Sequence, residues 1–584
     1  KAGRVLAEVI MRGGALTVDV ETTGYPVGHA HHRLRTVQLG DEHAAVVLDA
    51  TDPEQAEVAR VALAAAPRLH AHSATADLVP LAAAGLVDVD AWERMHDTVL
   101  PAKLADPAST GSDPGLKQLA ASVLGDQAVT PAADAARAAL FKAGRWLTDT
   151  EATTPPERSG WAQVDPVCTT MVRYAAADVL DTAALAARLP RPPAVVLERE
   201  RAVQRITARV THRGLRIDGE QVAALIAEHT AAREAAAARV RAFGIDNPAS
   251  DRQVAAALIA LGAELPRTRP SQKHPDGQPS VAAAALERLR GTPGKGGELS
   301  AAVLDYRRHE TVLSVFLEPY RQLVRSGDGR ARPTVYTLGT DTGRMSCVRP
   351  NLQQLPREGG VRACIAADPG YVLISADFSG VELRVAAALS GDPNLRRMIV
   401  EGVDLHWEIA RQVWGPEATK ADRYAAKRIV FGRLYGGGVP TLAAQAGVSE
   451  SVAASAVDVL DAMTPGLAAW SRMIRESIKH GRTQFPSYAG RVIHFPPDYP
   501  HKGPNYAIQG TARELLVDAL LRWDATRWGG GVVLPVHDEI VAMVPEADAE
   551  QATAALVQCM TTELFGVPIV AEASAPARAW QDSV

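Results

Sequence analysis

Residues 423–438 read RYAAKRIVFGRLYGGG. Arg423, Lys427, Phe431 and Tyr435 recur every four residues, a spacing that drifts only about 40° per step around an α-helix. One helix face therefore presents two cations and then two aromatic rings. An ordinary amphipathic helix would carry aliphatics on that stripe, with its cations turned away from the rings. Cations followed by rings suit instead a nucleoside triphosphate lying along the helix, with phosphates on Arg423 and Lys427 and the base on Tyr435.

Working outward, residues 371–384 read YVLISADFSGVELR. The apolar run Tyr371 to Ala376 predicts a buried strand ending at Asp377. Ser379 then opens a helical pattern with Glu382 three positions later, which predicts a capping box. Downstream, GGGVVLPVHDEIVAMVP (529–545) predicts strand, tight turn, strand, with His537, Asp538 and Glu539 at the bend. An isolated H-D-E has no value as a motif. Upstream, GTDTGRMSCVRPNLQQLP (339–356) has the composition of an irregular loop.

In this order the stretches resemble the family A DNA polymerases, the bacterial polymerase I type, and the resemblance covers essentially the whole chain. It implies that Asp377, the Phe378 backbone carbonyl and Asp538 hold two Mg²⁺ ions, with Glu539 supporting them. Arg423, Lys427 and His406 (of Asp404-x-His406) would meet the triphosphate of the incoming dNTP. Phe431 would lie by its sugar, Tyr435 by its base, and Glu382 would press against the sugar. Arg344 would enter the minor groove at the primer end, where the acceptors are similar for every base pair. Asn505 and Gln509 (in NYAIQGTA) and His537 would contact the template-primer. Four positions depart from the family pattern. Phe378 and Gly380 stand for Tyr and Gln, Val430 for Asn, and His501 for Arg. The implied chemistry is two-metal phosphoryl transfer, with Lys427 placed to protonate or neutralise the leaving pyrophosphate. Closure of this helix over a correct pair would couple fit to chemistry.

The amino-terminal third has its own constellation. ALTVDVET (15–22) alternates apolar and polar residues, so Asp19 and Glu21 share one face of a strand. Two adjacent carboxylates repel unless a cation lies between them. LHAHSATADL (69–78) puts Asp77 at the start of an apolar turn, and in RYAAADVLD (173–181) Tyr174 and Asp178 share a helix face. This set resembles the 3′→5′ exonuclease domain of such polymerases, which implies Asp19, Glu21, Asp77 and Asp178 around two divalent ions (Mg²⁺, with Mn²⁺ or Zn²⁺ as alternatives). Tyr174 would position the attacking water. Ser73 replaces the family's Asn.

The implied fold class is α/β and α+β multidomain. A ribonuclease-H-like exonuclease domain (1–190) precedes a right hand. Its thumb would span 196–332, its palm 333–395 and 500–584, and its fingers 396–499, ending near 500–530. The three prolines of Arg188–Pro193 mark the boundary. Leu197–Arg213 reads as a helix whose Arg201, Arg205, Arg209 and Arg213 either grip phosphates or line a solvated face paired with Glu198 and Glu200. Residues 264–299 read as loops around a helix Val281–Arg290, and His29, His31 and His32 as a solvated loop cluster, with a metal site as the alternative. The spacing leaves no room for a clamp-recruiting thumb insertion.

At 584 residues, 47% hydrophobic, with a net charge of −5, the chain is globular and needs several cores. Four scattered cysteines give neither a zinc pattern nor a disulfide framework, and point to a reducing cytoplasm. The start at Lys1 suggests trimming. The partners expected are primer-template DNA and dNTPs, with no membrane, for a monomer of phage origin or a host repair enzyme. A stand-alone RNA-processing exonuclease would leave the second carboxylate set unexplained, and a non-catalytic DNA-binding remnant would have lost carboxylates.

Overall fold

The computed structural model describes residues 2–106, 114–151 and 153–580. The first unit is built on a five-stranded sheet with Leu16–Thr22 at its centre. That strand pairs antiparallel with Leu34–Gly40 and parallel with Leu69–Ala71, while Ala45–Asp49 and Met95–Asp97 close the two edges. Helix Thr169–Arg188 lies across the sheet. Asp77 falls in the first turn of helix Thr75–Ala83, where it is buried.

The second unit centres on a four-stranded antiparallel sheet in the order Val532–Val536, Glu539–Pro545, Tyr371–Phe378, Ala571–Ala573. Val372 to Ala376 are buried, whereas Tyr371 and Asp377 emerge at either end. His537 and Asp538 form a two-residue hairpin turn with His537 in the left-handed region at φ 53°. One continuous hydrophobic core joins this sheet to helix Gly503–Asp524 and to the helices between 405 and 478. Helices Gly219–Arg241 and Lys295–Thr311 pair beside it, the latter continuing through a π-helical turn at Val312–Leu317 into Glu318–Ser326. Among the described residues no single helix is long and apolar enough to cross a membrane.

Several expectations are corrected. The predicted helices start at Ala194 and Ala283 and not at Leu197 and Val281. The loop region 264–299 ends earlier, because a helix already begins at Lys295, and the bridges Arg267–Pro279 and Ser271–His274 give its first part hairpin pairing. No capping box forms at Ser379. The helix begins at Val381 behind Gly380, whose φ of 62° is costly for a residue with a Cβ. Nor is His29 solvated. It is buried and stacks on Tyr25 at 4.6 Å, in a loop pinned by Ala30 N–H donating to the Ser326 carbonyl and Asp328 N–H to Gly28.

The arginine stripe on Ala194–Arg213 is neither a phosphate grip nor a solvated face. Arg201 donates to the Met95 carbonyl at 3.0 Å and pairs with Glu198, which was expected, while Arg209 binds Asp524 and Arg213 the Gly530 and Val532 carbonyls. The helix thus fastens the first unit to the second. Its Glu200 is wholly buried against Arg513, whose other partner, Glu514, also receives Arg491 Nε at 2.6 Å. Burial alone would raise the Glu514 carboxyl, but the guanidiniums of Arg491 and Arg513 outweigh it and hold it down at about 2. Removing one partner of such a pair leaves an unpaired buried charge, at a cost of about 3–5 kcal/mol. In urea denaturation Arg513→Met should lose stability of that order, and adding Glu200→Met should recover most of it. Equal losses for the single and double variants would show that pairing is not what matters.

Candidate active sites

In the second unit the strand register decides the geometry. Asp377 lies directly opposite Glu539 on the neighbouring strand, and the Phe378 N–H donates to the Asp538 carbonyl at 3.2 Å. Strand pairing alone thus brings Asp377, Phe378, Asp538 and Glu539 to one end of the two central strands. Burial raises all three carboxyls above the usual range; Glu539 adds to it at Asp377, Glu382 and Asp377 add to it at Asp538 against Arg344, and at Glu539 the neighbouring Ser375 and Arg362 oppose it. A set of mutually repelling oxygens of this kind fits a divalent cation.

Helix Lys420–Leu434 starts at a capping box between Thr419 and Asp422. It buries Ala425, Ala426, Ile429, Val430 and Leu434, leaving Lys427 and Tyr435 exposed and Arg423 and Phe431 half-buried on the other face. Arg423 donates through Nε and Nη2 to Asp404 at 2.9 and 2.6 Å. The His406 ring sits 5.8 Å from that of Phe431, and burial lowers its pKa to about 4, so the imidazole is neutral near pH 7. Its Nδ1 is buried with no hydrogen-bond partner among the described residues.

Glu382 ties the two halves together. It accepts from the Tyr435 hydroxyl at 2.7 Å and from Arg344 Nη2 at 2.6 Å, and Arg344 also stands 3.7 Å from Asp538. These bonds take the side chain that the capping box would have used. A cavity of about 420 Å³ is lined by Arg344, Asn505, Gln509, His537 and Asp538 together with Arg513. Exposed His501 lies beside it in chain order, and its carbonyl would come within 2.3 Å of a Cβ at Gly436, so only glycine fits there.

In the first unit Asp19, Glu21 and Asp178 bring ligand oxygens within 4.8 Å of one another. Asp77 joins them from the side, accepting the Val20 N–H at 3.2 Å. Burial, then mutual repulsion, pushes Asp19, Glu21 and Asp77 well above the usual carboxyl range, while burial raises Asp178 to about 7. This donor set also fits divalent ions. Ser73 takes a left-handed φ of 60°, tolerated better by Asn, and its N–H is held by Asp97 at 3.0 Å. Sequence reasoning missed Lys117, which donates to the Tyr174 hydroxyl at 3.3 Å, and Arg137, stacked 5.4 Å from that ring. Neither carries a local signal beyond the three-residue spacing of Asp134 and Arg137.

Residues 219–582 match the family model described as DNA polymerase family A, and residues 4–191 the model described as 3′-5′ exonuclease. A DNA polymerase of Mycobacterium phage D29 is 29% identical over 580 residues, covering 97% of this chain and 93% of the relative. That of Mycobacterium phage L5 is 28% identical over 582 residues, covering 97% and 92%. The thermostable DNA polymerase I of Thermus filiformis is 32% identical over 386 residues, 62% of this chain and 45% of the relative. Among solved structures, the POL domain of Pol1 from M. smegmatis, in complex with DNA primer-template and dNTP, matches with a TM-score of 0.74 at 22% identity, over 99% of this chain and 98% of that one, and supports the fold. The chain belongs to the family A DNA polymerases and carries its own 3′→5′ proofreading exonuclease domain.

Proposed function

We propose that this polymerase copies DNA at the end of the central strands, where Asp377 and Asp538 meet, and edits the same primer end at Asp19, Glu21, Asp77 and Asp178. The observation carrying the first half is the strand pairing that opposes Asp377 to Glu539 beside Asp538. The second half rests on the three converging carboxylates of the first unit. Divalent ions, two at each site, would lower the pKa of the attacking oxygen and compensate charge on the leaving one. The chain's own groups bind and orient. Arg423 and Lys427 neutralise the triphosphate, His406 donates a hydrogen bond to it, and Lys427 meets the departing pyrophosphate. Phe431 and Tyr435 pack against sugar and base. Glu382, held by Tyr435 and Arg344, closes the space a 2′-hydroxyl would need. Arg344, Asn505, Gln509 and His537 line the groove for the primer-template.

The domain bounds proposed are exonuclease 1–190, thumb 196–332, palm 333–395 with 500–584, and fingers 396–499. The chain would act as a monomer in the cytoplasm of an infected bacterium and replicate a phage genome. The full-length match to two mycobacteriophage polymerases supports this over host repair.

Asp377→Ala or Asp538→Ala should abolish primer extension and leave single-strand degradation intact, and Asp19→Ala with Glu21→Ala should do the reverse. A palm variant that extends primers within a few-fold of the parent rate would contradict the assignment. Acidity should also separate the two sites. A carboxyl titrating near 7 goes from mostly ionised at pH 8 to mostly protonated at pH 6, so divalent affinity at the exonuclease should fall about tenfold. The half-saturating Mg²⁺ for trimming should therefore rise more steeply on acidification than that for extension. Parallel rises would contradict the expected role of Asp178.

A further inference from the structure

Helix Thr130–Ala143 has no part in the chemistry above, yet it packs beneath Tyr174. Its start is fixed by Asp181, on the Tyr174 helix, which accepts the Thr130 N–H at 2.8 Å and the Thr130 hydroxyl at 2.7 Å. Two turns on, Arg137 is buried with its guanidinium over the rings of Phe141, Trp161 and Tyr174, at 4.9, 4.9 and 5.4 Å. It donates through Nε and Nη2 to Asp134 at 3.0 and 2.8 Å. The same Asp134 oxygen lies 3.3 Å from Lys117 Nζ, which donates to the Tyr174 hydroxyl at 3.3 Å.

An ammonium group only donates. The Tyr174 oxygen must accept from Lys117, so its own O–H points elsewhere. The carboxylates of Glu21, Asp178 and Asp19 surround this phenol, opposed by Arg137, and its side chain meets Asp178 in a hydrogen bond, so the O–H faces the carboxylate cluster. The ring cannot tilt freely, because Arg137 stacks on it.

We infer that Lys117, held by Asp134, is a positioning residue of the exonuclease that fixes the Tyr174 hydroxyl as a donor to the attacking water; this rests on reading Asp19, Glu21, Asp77 and Asp178 as the exonuclease site. In the step it serves, the water oxygen bonds to the terminal phosphorus and gives up a proton to solvent. The bond from phosphorus to the 3′ oxygen breaks, and that oxygen takes a proton from solvent to leave as the hydroxyl. Lys117 touches neither atom and acts through Tyr174.

The test uses the full chain, Mg²⁺ and a 5′-labelled single-stranded oligonucleotide in single-turnover digestion, with melting temperature followed alongside. Lys117→Met should lower the maximal rate about ten- to hundredfold, with half-saturating oligonucleotide unchanged and melting unchanged. Lys117→Arg should restore most of the rate. In a Tyr174→Phe background, Lys117→Met should cost less than about threefold, because residues acting as one unit are non-additive. A full additional loss in that background, or a loss in half-saturation, would place Lys117 on the substrate phosphate and overturn the inference. A fall in melting temperature without rescue by Arg would reduce it to a structural prop and overturn it equally. Asp19→Ala with Glu21→Ala runs in parallel, and full digestion by that variant would instead overturn the reading of the site itself.

Discussion

The structure depends on one buried ion cluster. Glu200 from the helix that leaves the first unit meets Arg513, and Arg513 shares Glu514 with Arg491. These charges lie almost fully out of water and tolerate that only while paired. The pairing fixes the rotation of helix Gly503–Asp524 about its axis. Asn505, Gln509 and Arg513 are successive fourth residues on that helix, and all three line the cavity beside Asp538. Satisfying Arg513 at the back of the stripe therefore aims Asn505 and Gln509 at the groove. A different rotation would strand a charge in the core.

The same connecting helix explains how two chemistries are held on one chain. Its arginines reach back to the Met95 carbonyl and forward to Asp524, to Gly530 in the loop before the sheet hairpin and to Val532 at the start of its first strand. Each candidate active site is then an excess of carboxylate at a sheet: Asp377 and Asp538 in one unit, Asp19, Glu21 and Asp178 in the other. Cations compensate both in part, Arg344 beside Asp538 and Lys117 beside Tyr174. The deeper burial in the first unit makes its carboxyls harder to ionise, so its need for divalent ions is more sensitive to acid.

Much of this was legible in the sequence where a local period carried it. The strand carrying Asp377, which runs one residue further than expected to Phe378, the hairpin at His537 and Asp538, with Glu539 already in the next strand, and the shared face of Tyr174 and Asp178 follow from local sequence pattern. What eluded reading depends on which surfaces meet. Glu200 looked like a solvated partner of its own helix's arginines, because periodicity reveals a face but not what covers it. Glu382 fitted a capping box by spacing, yet Arg344 and Tyr435, distant in sequence, claimed its carboxylate. Lys117 and Arg137 gave no sign, since their contact with Tyr174 arises only when three helices, Leu116–Leu124, Thr130–Ala143 and Thr169–Arg188, pack together.

The central claim is that one primer end is served by two opposed activities, with the supply of nucleotide deciding between them. The direct measurement follows a 5′-labelled primer annealed to a longer template, with Mg²⁺, in the absence and presence of all four deoxynucleotides. Without nucleotides the primer should shorten from its 3′ end. With them it should grow to the end of the template. A primer that stays intact without nucleotides, or one that fails to lengthen with them, would contradict the account.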